Sequence, residues 1–274
     1  MRPTAGNMPN SMRDRIAAGC FRQMKSAATL LAGVLLAVPA HAIVGGGVPS
    51  AQGVGRSVVT IVGSRGNFCT GSVIAPSLVL TVAHCVQPGA DYKIVQYGTE
   101  KTPQLQDVKS VAIHPGFRME AMLAHRATAD VALLRLEVPA KGRVPAPLGV
   151  PQLPISVGAK FTIAGVGVTV RGDGKSAGTI RSAALVATGK PGGLQIRLVD
   201  PATMGAREGL CACTGDSGSP VFEDQQGGAT IIGVVSWSTG ANGSGGCGGI
   251  TGVTPLTLYR EWILQTARQW GFAL

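Results

Sequence analysis

Charged residues make up only 14% of the 274 positions. No dense Lys/Arg run occurs after residue 42, so the composition offers no ground for a nucleic-acid partner. No self-similarity at a period of roughly 20 to 50 residues is visible, which argues against a solenoid or propeller. There is no Cys-x-x-Cys and no mixed Cys/His spacing suited to zinc. Histidine is scarce: of four in the chain, only His84, His114 and His125 lie beyond residue 42. A reaction that needs an imidazole has three places to find one.

Apolar residues and turn formers are plentiful. Hydrophobic residues reach 45%, enough for a sizeable core, and 40 glycines with 17 prolines favour turns and short strands over long helices. Short β-branched runs recur with turn signals between them: Ser57 to Val62, Gly71 to Ile74, Leu78 to Val82, Val131 to Leu136, Phe161 to Val168, Leu194 to Val199, Pro220 to Phe222 and Ile231 to Ser236. They predict an all-β sandwich or barrel. Gly142 to Pro154 carries four prolines and reads as a crossing between two β subdomains. A single helix is expected at the C-terminus, with Leu256, Tyr259, Ile263 and Trp270 near one face and Thr254 or Thr257 as its cap.

The first 42 residues read as an export leader. Met24 starts a stretch in which Lys25 supplies a positive end, Ala27 to Val38 an apolar run and Ala40-His41-Ala42 a cleavage site. That run is too short to span a bilayer comfortably, so no stable membrane anchor is expected. The leader holds five of the 24 Lys and Arg and one of the 14 Asp and Glu, which leaves residues 43 to 274 with a net charge of +6. Five cysteines remain after it: Cys69, Cys85, Cys211, Cys213 and Cys247. An oxidising destination, secreted or periplasmic, favours pairing, and an odd count leaves one thiol over.

Three local patterns carry chemistry. Gly215-Asp216-Ser217-Gly218 places a hydroxyl in a glycine-rich turn, where successive N–H groups of Gly215 and Ser217 can face one space and hold an oxyanion. His84 ends the apolar run "LVLTVAHC", and Asp130 opens "DVALLRL". A base and a carboxylate that orients it are what a serine needs to become a nucleophile. His114, before a proline, reads as a turn residue, and His125, in a polar segment, as solvated.

Taken in order, Ile43-Val44-Gly45-Gly46, "CTGSVIAPSLVLTVAHC", "DVALLRL", "GDSGSP" and "VVSW" resemble the chymotrypsin/trypsin-like serine protease family over residues 43 to 274. The resemblance implies two six-stranded antiparallel barrels with the active site between them, plus a C-terminal helix. It implies His84 as general base, Asp130 as its orienter, Ser217 as nucleophile, and Gly215 and Ser217 as oxyanion donors. Ser236, Trp237 and Ser238 would pair with the substrate backbone. Disulfides would join Cys69 to Cys85 and Cys213 to Cys247, and a freed Ile43 amine would pair with Asp216. No metal or organic cofactor is implied. The partners implied are a polypeptide substrate and a protein inhibitor, for a monomer.

Departures from the family pattern bear on specificity. Six positions before the nucleophile stands Cys211 and not an acid, which removes the basis for Arg or Lys preference. Ser238 replaces a usual pocket glycine, while Gly252 keeps the second. These point to uncharged, small to medium side chains before the scissile bond. Cys211 has two possible fates: a reduced thiol at the pocket floor, or the partner of Cys247 in place of Cys213. A catalytically silent binding protein on the same fold, and an esterase using the same three residues, are the alternatives to a peptidase.

Overall fold

The computed structural model describes residues 43–97, 102–189 and 194–274. The leader expected over residues 1–42 lies outside the described residues. After a two-residue strand, β1 (Val48–Pro49), six strands close into a first antiparallel barrel: β2 (Val58–Gly63), β3 (Phe68–Ala75), β4 (Leu78–Thr81), β5 (Tyr92–Tyr97), β6 (Pro103–Ile113) and β7 (Ala132–Leu136). They are ordered β2-β3-β4-β7-β6-β5 around it. A short helix, α1 (Met119–Leu123), separates β6 from β7. The second barrel is built from β8 (Lys160–Gly165), β9 (Arg181–Ala187), β10 (Ile196–Val199), β11 (Pro220–Gln225), β12 (Gly228–Ser238) and β13 (Ile250–Pro255). Its order is β8-β9-β10-β13-β12-β11, closed by pairing of β11 with β8, and β1 adds to the outer edge of β9. Helix α2 (Arg260–Gln269) follows. Among the described residues no helix is long and apolar enough to cross a membrane.

Alternation along the strands builds both cores. Ile61, Leu80, Ile94, Leu133 and Leu134 are fully buried in the first barrel, and Phe161, Ile163, Leu185, Ile196 and Val253 are buried in the second. Each such side chain contributes about 1.5–3 kcal/mol by leaving water. The proline-rich crossing runs between β7 and β8 as expected, and it is tied to both barrels: Ala146 N donates to Val73 O and Gly149 N to Ile231 O. Helix α2 buries Ile263 and Ala267 against the first barrel's core.

Two local expectations change. Neither Thr254 nor Thr257 caps α2: Thr254 lies in β13, and the cap position is Tyr259, which makes no side-chain capping bond. The helix start is fixed instead by ring packing, with His114 edge-on to Tyr259 at 5.1 Å and to Trp262 at 5.0 Å. His114 is therefore part of a packed aromatic joint as well as a turn, in which its Nδ1 accepts from Gly116 N.

The barrels meet at Thr70 in β3. Its N–H donates to Ser217 O at 2.8 Å, its hydroxyl donates to Gly215 O at 2.7 Å and accepts from Val166 N at 3.2 Å, and its carbonyl accepts from Thr81 Oγ1 at 2.8 Å. Gly218 makes this approach possible. It sits at φ 84°, and a Cβ there would lie 2.1 Å from Thr70 O and 2.3 Å from Thr81 Oγ1. Gly218→Ala is expected to cost roughly 2–4 kcal/mol in urea unfolding, through strain and lost joint contacts. Gly227→Ala, at φ 79° with open space around it, should cost only about 1 kcal/mol. Equal losses in the two variants would show that the joint does not depend on close approach.

Candidate active site

Each expected residue is delivered by a different element. His84 lies in a single 3₁₀ turn, Ala83–Cys85, directly after β4. The Cys69–Cys85 disulfide fastens that turn to β3. Asp130 precedes β7 and is fully buried. Its carboxylate accepts from His84 N at 3.0 Å and from His84 Nδ1 at 2.8 Å, and Ser236 Oγ donates to the same oxygen as Nδ1 at 2.5 Å. Three donors occupy the carboxylate, and the contact fixes the imidazole with Nδ1–H toward the acid. Nε2 is then the free lone pair, on a ring that is 16% exposed.

Ser217 is half-buried on the loop before β11, with its carbonyl held by Thr70. The 215–216 peptide is clamped on both sides: Thr70 Oγ1 donates to Gly215 O, and Asp216 N donates to Cys213 O. Gly215 takes φ 95°, in the left-handed region open to glycine, and a Cβ there would meet the Phe68 ring at 2.8 Å. Among the described residues, the N–H groups of Gly215 and Ser217 donate to no protein acceptor. A pair of unspent amides beside a serine is what an oxyanion needs.

Asp216 is the second buried carboxylate, and its supply differs. One oxygen accepts from Gly167 N at 2.8 Å and the other from Cys213 N at 2.9 Å. No cation lies within 4.0 Å among the described residues. Burial pushes its pKa up to about 7 despite those two amides. Ile43 is fully buried in the second barrel's core, in the same cluster as Ala212, the residue before Cys213.

The pocket region resolves the two fates of Cys211. Cys213 pairs with Cys247, and Cys211 is the free cysteine among the described residues. Cys211 is fully buried, with its N–H donated to Val44 O at 3.1 Å. Burial raises its pKa. Thr251, a position that sequence reasoning missed, closes over it: Thr251 Oγ1 accepts from Ala212 N at 3.0 Å and donates to Cys211 Sγ at 3.3 Å. Ser238 Oγ donates to Gly246 O at 3.4 Å. Gly252 lies under Trp237: a Cβ on it would lie 2.1 Å from the indole Cε2. Adjacent residues of β13 face opposite sides, so Thr251 turns towards Cys211. His125 is not free in solvent. It stacks on Trp237 at 4.4 Å and 12°.

Among the described residues one His/Cys cluster has metal-ligand spacing, Cys69, His84 and Cys85, but its two sulfurs are consumed by the disulfide. What the arrangement offers is acid–base and nucleophilic chemistry at one hydroxyl.

Comparison with known proteins agrees with this geometry. The family model described as Trypsin matches residues 43–263. A trypsin of Sarcophaga bullata is 28% identical over 218 residues, covering 74% of this chain and 80% of that protein. Coagulation factor XII of Sus scrofa is 30% identical over 208 residues, but these span 64% of this chain and only 32% of the clotting factor. Among solved structures, one titled as the atomic-resolution structure of HBP superposes with a TM-score of 0.63 at 21% identity, covering 82% of this chain and 97% of that one. Human heparin binding protein gives 0.61 at 23% identity, covering 80% and 95%. At such identities the likeness is one of fold. The two barrels, the His84–Asp130 pair, the serine loop and the matched family model together place this chain in the trypsin family.

Proposed function

We propose that the exported chain is a serine endopeptidase that hydrolyses peptide bonds through an acyl-enzyme. The observation that carries this is the intact machinery: an imidazole locked by Asp130 with Nε2 free, beside a serine whose loop keeps two amides unspent. Ser217 Oγ attacks the carbonyl carbon as His84 Nε2 takes its proton. The carbonyl oxygen becomes an oxyanion held by the Gly215 and Ser217 N–H groups. His84 returns the proton to the leaving amine, and water repeats the cycle on the ester. The Ser217 hydroxyl has no protein partner among the described residues, so its contact with His84 forms as substrate arrives.

An esterase or a silent binding protein would share this fold, and two of the structural neighbours are titled heparin binding protein. A fluorophosphonate probe followed by peptide and ester assays separates the three. Wild type should take the probe and cut peptides. Ser217→Ala and His84→Ala should lose on the order of 10⁴-fold or more in kcat while remaining folded, and Asp130→Asn should lose nearly as much. Peptidase activity near wild type in Ser217→Ala would end the proposal.

The leader ends directly before Ile43, so its removal would itself create the terminus that neutralises Asp216. Ile43 takes φ 59°, where a β-branched residue carries roughly 1–3 kcal/mol of strain against the preceding carbonyl. Cutting the Ala42–Ile43 bond removes that carbonyl and supplies an ammonium group. Asp216 with no cation has its folded pKa raised, from 3.8 to about 7. In the uncut chain, then, stability is greatest at low pH and is lost as pH climbs from about 4 through about 7, by up to a few kcal/mol. The free amine offsets this loss. Exported protein should read IVGGG at its N-terminus. A chain with residues fused ahead of Ile43 should be nearly inactive, and should melt below the mature form at pH 8 but close to it at pH 4. Full activity in a fused chain verified as uncut would sink this.

Specificity follows from Thr251 and Cys211. With no acid at the floor, an Arg or Lys side chain would be buried unpaired, at high cost. With Thr251 hydrogen-bonded across the floor, the pocket is shallow, and Ala, Val, Leu or Met should precede the cut, with the smaller ones favoured. Thr251→Gly should shift preference towards longer apolar side chains in library profiling by about tenfold or more in relative kcat/KM. Cleavage by wild type mainly after Arg or Lys would overturn the pocket assignment.

A further inference from the structure

Arg197 projects from β10 with no carboxylate within 4.0 Å among the described residues. Its Nε is buried and has no acceptor. Its guanidinium carbon lies 5.7 Å from the centroid of the Trp237 ring. Trp237 is only 8% exposed, clasped between the Gly252 shelf and the stacked His125, and its own Nε1–H is also buried without an acceptor. A half-buried guanidinium and a buried indole with no oxygen to donate to are costly in a folded protein. Cation–π contact offsets part of that for Arg197 but satisfies no N–H.

The place of this cluster in the sheet gives it meaning. Arg197 pairs with Gly252 across β10 and β13, and Gly252 pairs with Trp237 across β13 and β12. The three residues form one rung and share one face. An extended chain added to the Ser236–Ser238 edge continues that rung on its far side. If the first residue before the scissile bond lies against Ser236, the second lies opposite Trp237. The second and fourth then share the Trp237–Arg197 face, while the first and third point the other way.

We propose that Arg197, with Trp237 and His125, forms an anion-accepting subsite that makes this chain select polypeptides bearing Asp or Glu at the second or fourth residue before the cut. The carboxylate accepts from the guanidinium fork in a bidentate, charge-assisted pair, on a platform that the indole and imidazole keep from collapsing. This rests on the peptidase reading above and adds to it the class of polypeptide recognised.

The test uses mature protein and a peptide panel with alanine before the cut, carrying Glu, Gln or Lys singly at the second, third or fourth residue upstream. Fluorophosphonate labelling is measured in parallel. Glu should exceed Lys by about five- to tenfold in kcat/KM at the second or the fourth residue, and should make no difference at the third. The gap should shrink at high salt. Arg197→Gln should erase it while leaving neutral-peptide cleavage and probe labelling near wild type, and Arg197→Lys should keep part of it. No acid preference in wild type, a preference equal at the third residue, or a preference that survives Arg197→Gln overturns the subsite. So does a loss in Arg197→Gln that is uniform over all peptides, because that is the mark of a structural role. If wild type takes no probe and cuts no peptide, the peptidase reading fails, and the subsite falls with it.

Discussion

The site depends on one threonine. Thr70 spends its N–H and its hydroxyl on the seam between the barrels, where they end on the carbonyls of Ser217 and Gly215, and its carbonyl on Thr81 of its own barrel. Those bonds hold the 215–216 and 217–218 peptides, next to the ones that carry the Gly215 and Ser217 N–H groups, and those two N–H groups donate to no protein acceptor among the described residues. An oxyanion hole stabilises charge only if its donors are already oriented when the charge appears. In this chain the loop that carries the candidate donors is tied down by the other barrel. The same strand carries Cys69, whose disulfide to Cys85 fixes the turn bearing His84. The Ser217 loop and the His84 turn are therefore both tied to β3, although they lie more than a hundred positions apart in sequence.

Two buried carboxylates flank this seam, and their donor supply separates their roles. Asp130 receives a backbone N–H, an imidazole N–H and a hydroxyl. Asp216 receives two backbone N–H groups, and burial still holds its pKa near 7. The first acid is held against His84 by both of its oxygens. The second has no cation within 4.0 Å among the described residues, and Ile43, at φ 59°, is buried in the core of the same barrel. A buried acid left short of partners is costly unless something completes it.

Much of this was legible in the sequence, because local chemistry wrote it there. Glycines at a tight loop, a histidine beside a cysteine at a strand end and an acid ahead of an apolar run are all short-range signals. The strands that were not expected fail for physical reasons. β6 is largely exposed and reads as polar, with Gln104, Gln106 and Lys109 along it. β9 is alanine-rich, and β13 carries a glycine and ends on a proline. Thr251 went unnoticed because a strand alternates its faces: Gly252 faces Trp237 while its neighbour Thr251 faces Cys211, a contact 40 positions apart in sequence. His125 looked solvated because its partner, Trp237, lies 112 positions away and on the other barrel. Such pairings are set by topology, and no local pattern contains them.

The odd cysteine is the last consequence of this packing. A free thiol two residues from a disulfide is normally a hazard in an oxidising compartment, since a thiolate can attack the Cys213–Cys247 bond and reshuffle it. Attack requires the thiolate and an approach path. Cys211 is fully buried, burial raises its pKa, and Thr251 Oγ1 donates to its sulfur at 3.3 Å from one side while the Thr239 carbonyl lies 3.9 Å away on another. The thiol is thus kept neutral and its neighbours are polar groups already engaged with it, so it behaves as a small apolar filler with a weak donor. Thr251 is thus one of the residues that shelter the thiol, and a substitution that removes its hydroxyl takes away a contact that covers Cys211.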